Sequence, residues 1–145
     1  MKLPLPPNVE FHEDVGLLVY RPGGVLDKAA INKIISVIGE LEFNSETPFN
    51  RFLDTVGAEA VDLNVEYIRR VSLYRRRFYG NRPPVKTAIL ATDSSITNYG
   101  RLHAELTEDS PITVRVFQDR KDAAQWLGVP VELLAAKQSD KNQSS

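Results

Sequence analysis

Hydrophobic residues along this chain switch repeatedly between a period of two and a period of about 3.6, and the order of the switches predicts alternating strands and helices. Val9-Glu10-Phe11-His12 alternates as a strand does, and the acidic turn Glu13-Asp14 lets it fold back on residues 16–20 as an antiparallel hairpin. After the kink at Gly23-Gly24, Asp27 stands where an N-cap belongs, and Ala30, Ile31, Ile34, Ile35, Ile38 and Leu41 share one face of a helix over residues 28–41. A polar loop with Pro48 leads to a strand within residues 49–56, and a second helix is predicted over residues 62–79. Residues 85–92 are β-rich and mostly apolar, the pattern of a central parallel strand covered on both faces. Asp93 then caps a third helix through Leu106, residues 112–117 form a strand, and Asp119 caps a last helix closed by Gly128 and Pro130.

That order implies a single α/β domain over residues 9–136: a mixed, mostly parallel sheet with an N-terminal antiparallel hairpin and helices packed against it. Residues 1–8 are expected to be an extended lead-in and residues 137–145 a disordered polar tail. At 145 residues and 42% apolar content the chain fits one core. A net charge of −1 offers no global attraction to nucleic acid or anionic membrane, and nucleic acid is not favoured as a partner. The absence of cysteine excludes disulfides and thiolate chemistry. The start has no signal-peptide pattern, and no stretch reaches the ~20 apolar residues of a membrane helix, so a soluble, cytoplasmic protein is expected.

Two stretches carry a family resemblance. Residues 16–27, from Gly16 through Gly23-Gly24-Val25-Leu26 to Asp27, resemble the strand, Gly-Xaa-Leu-Asp, helix opening of STAS-type domains. Residues 114–127, with Phe117-Gln118-Asp119 and Ala123-Ala124-Gln125-Trp126-Leu127, are similar to the close of the SpoIIAA-like branch, the relatives of anti-sigma-factor antagonists. The resemblance implies a regulatory module that binds a protein partner or an apolar ligand without turnover. It also implies a phospho-switch, Asp-Ser-Ser-Gly, at the position that Asp62, Leu63 and Asn64 occupy here. The aspartate is kept and the serines are gone, which puts such a switch in doubt. Asp93-Ser94-Ser95 has the right letters one strand too late, where helix capping competes with phosphorylation as the explanation.

The most distinctive chemical feature is the cluster Arg69, Arg70, Arg75, Arg76, Arg77, Arg82 and Lys86 in a nearly neutral chain. A helical wheel puts Tyr67, Val71, Tyr74 and Phe78 in one stripe, expected to face the sheet, with Arg69 and Arg76 opposite. Arg69, Arg70, Arg76 and Arg77 are accordingly the candidate surface for a partner or for phosphate groups, peripheral membrane contact included; the alternative is a solvated face paired with acids such as Glu59 and Glu66. Asp54, Asp93 and Asp119 each follow a strand and could together hold a divalent cation in a Mg²⁺-dependent phosphate-handling enzyme, although two of them already serve as caps. His12 lies on the first strand, and His103 falls on the apolar side of the third helix, a place for a satisfied, half-buried ring. No Gly-Xaa-Ser-Xaa-Gly elbow and no Gly-rich phosphate loop is present. The residues therefore point to a non-enzymatic binding module without a cofactor, engaging a protein partner or carrying a lipid-like or other small apolar ligand, with self-association through an uncovered edge left open.

Overall fold

The computed structural model describes residues 5–135. Residues 1–4 of the expected lead-in and the expected tail at 137–145 lie outside the described residues. The strands are β1 (Val9–His12), β2 (Leu17–Tyr20), β3 (Gly24–Asp27), β4 (Asn50–Asp54), β5 (Ala58–Asp62), β6 (Val85–Leu90) and β7 (Ile112–Phe117). The helices are α1 (Lys28–Asn44), α2 (Val65–Phe78), α3 (Ser94–Leu106) and α4 (Arg120–Leu127).

The main sheet has the order β1-β2-β4-β6-β7, antiparallel between β1 and β2 and parallel from β2 onward. Gly16 closes the hairpin at φ 62°, a left-handed conformation that glycine adopts without a Cβ penalty. Strand β6 is paired on both edges and nearly fully buried, as its apolar run requires. Asp27, Asp93 and Asp119 each accept a hydrogen bond from a backbone amide of the first helical turn, at 2.9, 3.0 and 2.8 Å. These caps satisfy donors that the helix itself leaves open.

Three elements depart from expectation. Residues 24–27 and 58–62 are strands, β3 and β5, paired in parallel as a small second sheet. Neither has the clean period of two that would announce it, because β5 has no buried position and β3 has only one, Leu26. Helix α2 begins at Val65 and not at Asp62, since Asp62 ends β5 and Asn64 caps the helix by accepting from the Tyr67 amide at 2.8 Å. The aromatic stripe is split. Tyr67 is buried, but Tyr74 and Phe78 are exposed, and the inward face of α2 runs through Ile68, Ser72 and Arg75 to Tyr79.

The two faces of the sheet are covered unequally. Leu17, Val19, Phe52, Ala88 and Leu90 meet Ala123, Ala124 and Leu127 of α4 on one side. On the other, Leu18, Tyr20, Leu53 and Ile89 lie under α1, α2 and α3. Arg51 and Thr87 belong to this second face by register, flanked by Leu18 of β2 and next to each other across β4 and β6. A guanidinium in the middle of a five-stranded sheet is the exceptional feature of this core, because arginine is almost never fully buried unless paired.

Candidate functional site

A cavity of about 90 Å³ lies between the second face of the sheet and the three helices above it. Its walls are chiefly apolar, with Leu26, Ile31, Ile34, Ile68, Val71 and Ile96 among the residues that line it. Helix α2 packs along α3 and α1 packs on β3, while α1 and α2 are held apart. Two tyrosines span that separation. Tyr67 donates its hydroxyl proton to Asn32 Oδ1 at 2.6 Å near the start of both helices, and Tyr79 donates to Glu42 Oε1 at 2.5 Å near their ends. Burial above all pushes both hydroxyls to a pKa above the ordinary tyrosine value, so they remain donors at neutral pH.

Arg51 of β4, Thr87 of β6, Arg75 of α2 and His103 of α3 bring polar groups to the cavity. Arg51 is fully buried, pairs with Glu42, donates to the Tyr79 hydroxyl at 3.2 Å and lies over the rings of Phe49 and Tyr79 at 4.9 and 5.3 Å. The aromatic faces and the single carboxylate together compensate part of the cost of burying the charge. Arg75 reaches inward from α2 and hydrogen-bonds His103 Nε2 at 2.9 Å. Burial first, and the nearby charge of Arg51 second, lower its pKa to about 10, which still leaves a cation at neutral pH.

His103 and Ser72 form a third pair, with Ser72 Oγ and His103 Nδ1 2.7 Å apart. Arginine can only donate, so Nε2 of His103 must accept. Burial and the Arg75 charge lower the His103 pKa to about 3, so the ring is neutral and its one proton is on Nδ1, donated to Ser72. That polarity argues against the serine as a nucleophile: the ring nitrogen facing it holds a proton and cannot accept another.

The sequence-derived candidates are distributed differently. Arg69, Arg70, Arg76 and Arg77 are all exposed on the outer side of α2, with Arg70 3.9 Å from Glu66 and Arg76 3.5 Å from Asp109. Arg82 stacks on Phe78 at 4.2 Å, and Lys86 is bound to the Trp126 carbonyl at 2.8 Å on the α4 side. Asp62 ends β5, Leu63 lines the cavity and Asn64 is a helix cap. Asp54, Asp93 and Asp119 do not converge: Asp54 is buried against Arg120 at 2.6 Å and lies 3.8 Å from Arg21, and the other two are occupied as caps. Among the described residues no three acidic or histidine side chains come together as a metal site. His12 hydrogen-bonds Glu10 at 3.1 Å, away from the cavity.

The same architecture recurs in a solved structure, an uncharacterized protein of the DUF3478 family from Shewanella loihica PV-4 with a SpoIIAA-like fold. The superposition has a TM-score of 0.53 and covers 88% of this chain and 98% of that one, at 15% sequence identity. The chain has the SpoIIAA-like fold. At that identity the likeness is one of fold, and the cavity side chains of this SpoIIAA-like domain stand on their own geometry. No protein-family model and no curated protein sequence matches the chain.

Sequence reading missed Arg51, Glu42, Tyr79 and Thr87 as site residues. A usable signal was present in Arg51, which the period of two puts on the same strand face as Phe49 and Leu53, and in Arg75, which falls between Val71 and Tyr79 on the inner face of α2.

Proposed function

We propose that this SpoIIAA-like domain is a non-enzymatic binding module whose ligand is a small, largely apolar molecule held between the sheet and helices α1, α2 and α3. The observation that carries the reading is the cavity itself: an apolar chamber with a few convergent polar groups, beneath two helices that tyrosine hydrogen bonds join near their ends. Interiors are normally close-packed, and a mostly apolar concavity with a few fixed donors is the usual form of a small-molecule site. The proton arrangement at Ser72 and His103 favours binding over covalent turnover.

Native mass spectrometry of the chain, isolated gently from the cells that make it, tests this. A reproducible adduct of small mass, lost on unfolding, is the expected result; a bare chain at every attempt overturns it.

A second reading, a regulatory module docking an acidic protein partner, is favoured by the outer side of α2. There Leu73, Tyr74 and Phe78 are exposed beside Arg69, Arg70, Arg76 and Arg77. Exposed aromatics flanked by arginine are the residue types that interfaces concentrate. In the same spectra a stoichiometric second protein, lost on combined Arg76→Ser and Arg77→Ser substitution, would move this reading to first place.

A further inference from the structure

Resting on the pocket reading above, we infer that the ligand is an apolar monocarboxylic acid, its carboxylate received by Arg75, Arg51 and Thr87 at the sheet and its hydrocarbon part held among the isoleucines. Of the five buried side-chain donor atoms without a hydrogen-bond partner among the described residues, four belong to residues of this cavity, Arg51 Nε, Arg51 Nη1, Arg75 Nη2 and Thr87 Oγ1, and the fifth, Arg21 Nε, lies outside it. Arg51 and Thr87 are direct neighbours across β4 and β6. Buried donors are almost always satisfied in folded proteins, and a convergent set left open fits an acceptor supplied from outside the chain.

Charge identifies which acceptor. Two buried guanidinium groups face one carboxylate, that of Glu42, and His103 is neutral, so the cavity holds one uncompensated positive charge. A carboxylate brings one negative charge and only acceptor lone pairs. A phosphate monoester, at roughly −1.5 to −2, would overshoot the balance in a site of low polarity. The apolar lining at Ile31, Ile34, Ile68, Val71 and Ile96 suits hydrocarbon, while Thr55, Tyr99 and His103, which also line the cavity, are hydrogen-bonded within the chain. The chain of the acid points to the gap between α1 and α2, where Ile35 and Ile38 lead from this cavity toward Tyr74 and Phe78.

The test compares octanoate with octan-1-ol by titration at about pH 7, where the acid is ionised, following the methyl resonances of Ile31, Ile34, Ile68 and Ile96. Octanoate should bind at least about tenfold more tightly than the alcohol, the scale of one charge-assisted hydrogen bond in a buried site. Arg75→Met should erase that preference while leaving alcohol binding in place, and Thr87→Val should reduce it by a smaller factor. Should Arg75→Met fail to fold, Thr87→Val carries the same comparison. Equal binding of acid and alcohol, or an acid preference untouched by both substitutions, overturns the carboxylate inference and leaves the pocket reading standing. Failure of both compounds to bind overturns the pocket reading as well.

Discussion

Arg51 and Glu42 are each other's main electrostatic compensation inside a core that offers little water. Removing one member of a buried pair strands the other, which typically costs ~3–5 kcal/mol, whereas removing both is often close to neutral. Arg51→Met is therefore expected to lower unfolding free energy by roughly that amount, and Arg51→Met with Glu42→Gln to recover much of it, as chemical denaturation of the single and double variants would show. His103 has a pH signature. Its folded pKa, about 3, lies below the ordinary value of 6.5, so the unfolded chain takes up a proton that the folded one refuses. The stability it confers is intact above pH 6.5 and is lost as the pH falls toward 3, at a slope on the order of 1 kcal/mol per pH unit. The charged group facing the ring is Arg75, from α2, and it opposes protonation throughout this range. His103→Gln keeps an acceptor for Arg75 and a donor for Ser72 but does not titrate. Denaturation between pH 6 and pH 4 should show a shallower loss for this variant than for the parent chain; equal slopes would remove His103 from the acid response.

The elements differ in how much of themselves they wrote into local sequence. The hairpin, β6, β7 and the capped starts of α1, α3 and α4 were legible because each rests on short-range physics: alternation, an Asp at an N-cap, a Gly at a helix end. The ribbon of β3 and β5 was not, because its strands depend on each other across more than thirty residues of chain and bury little. Helix α2 was legible as a helix and misread in orientation. Aromatic weight at Tyr74 and Phe78 pulled the expected inner face toward them, whereas the structure turns Ser72 and Arg75 inward to meet His103. A cavity with a polar end is what rewards that choice, and no periodicity encodes it. Helix α3 makes a close approach of its own at Gly100, where a Cβ would come within 2.9 Å of Val116 Cγ2 and 3.4 Å of Ile89 Cδ1. Alanine would gain up to ~1 kcal/mol of helix propensity there but overpack the interface at a typical cost of 1–3 kcal/mol. Gly100→Ala is thus expected to lower the thermal midpoint; an unchanged or raised midpoint would mean that α3 can lift from the sheet freely.

Across the whole molecule, the α/β class, the order of the main-sheet strands and the four helices, and the resemblance to SpoIIAA-like proteins were readable, and the solved neighbour has that fold. What the chain binds was less readable, because the site forms from β4, β6, α1, α2 and α3 and exists only once they are assembled. Buried Arg75 and its exposed sequence neighbours Arg76 and Arg77 face different sides of α2. Replacing Arg69, Arg70, Arg76 and Arg77 together by serine should shift stability only modestly, by about 0.5 kcal/mol per site or less, and leave octan-1-ol binding unchanged in the titration. Isoleucine- and leucine-methyl NMR of the whole chain with octan-1-ol locates that binding and decides whether the cavity under α1, α2 and α3 is the ligand site. Saturable shifts are expected at Ile31, Ile34, Ile68 and Ile96, with Leu17 and Leu127 on the α4 side unmoved. Shifts confined to the α4 side, or spread over both faces without saturation, would contradict that assignment.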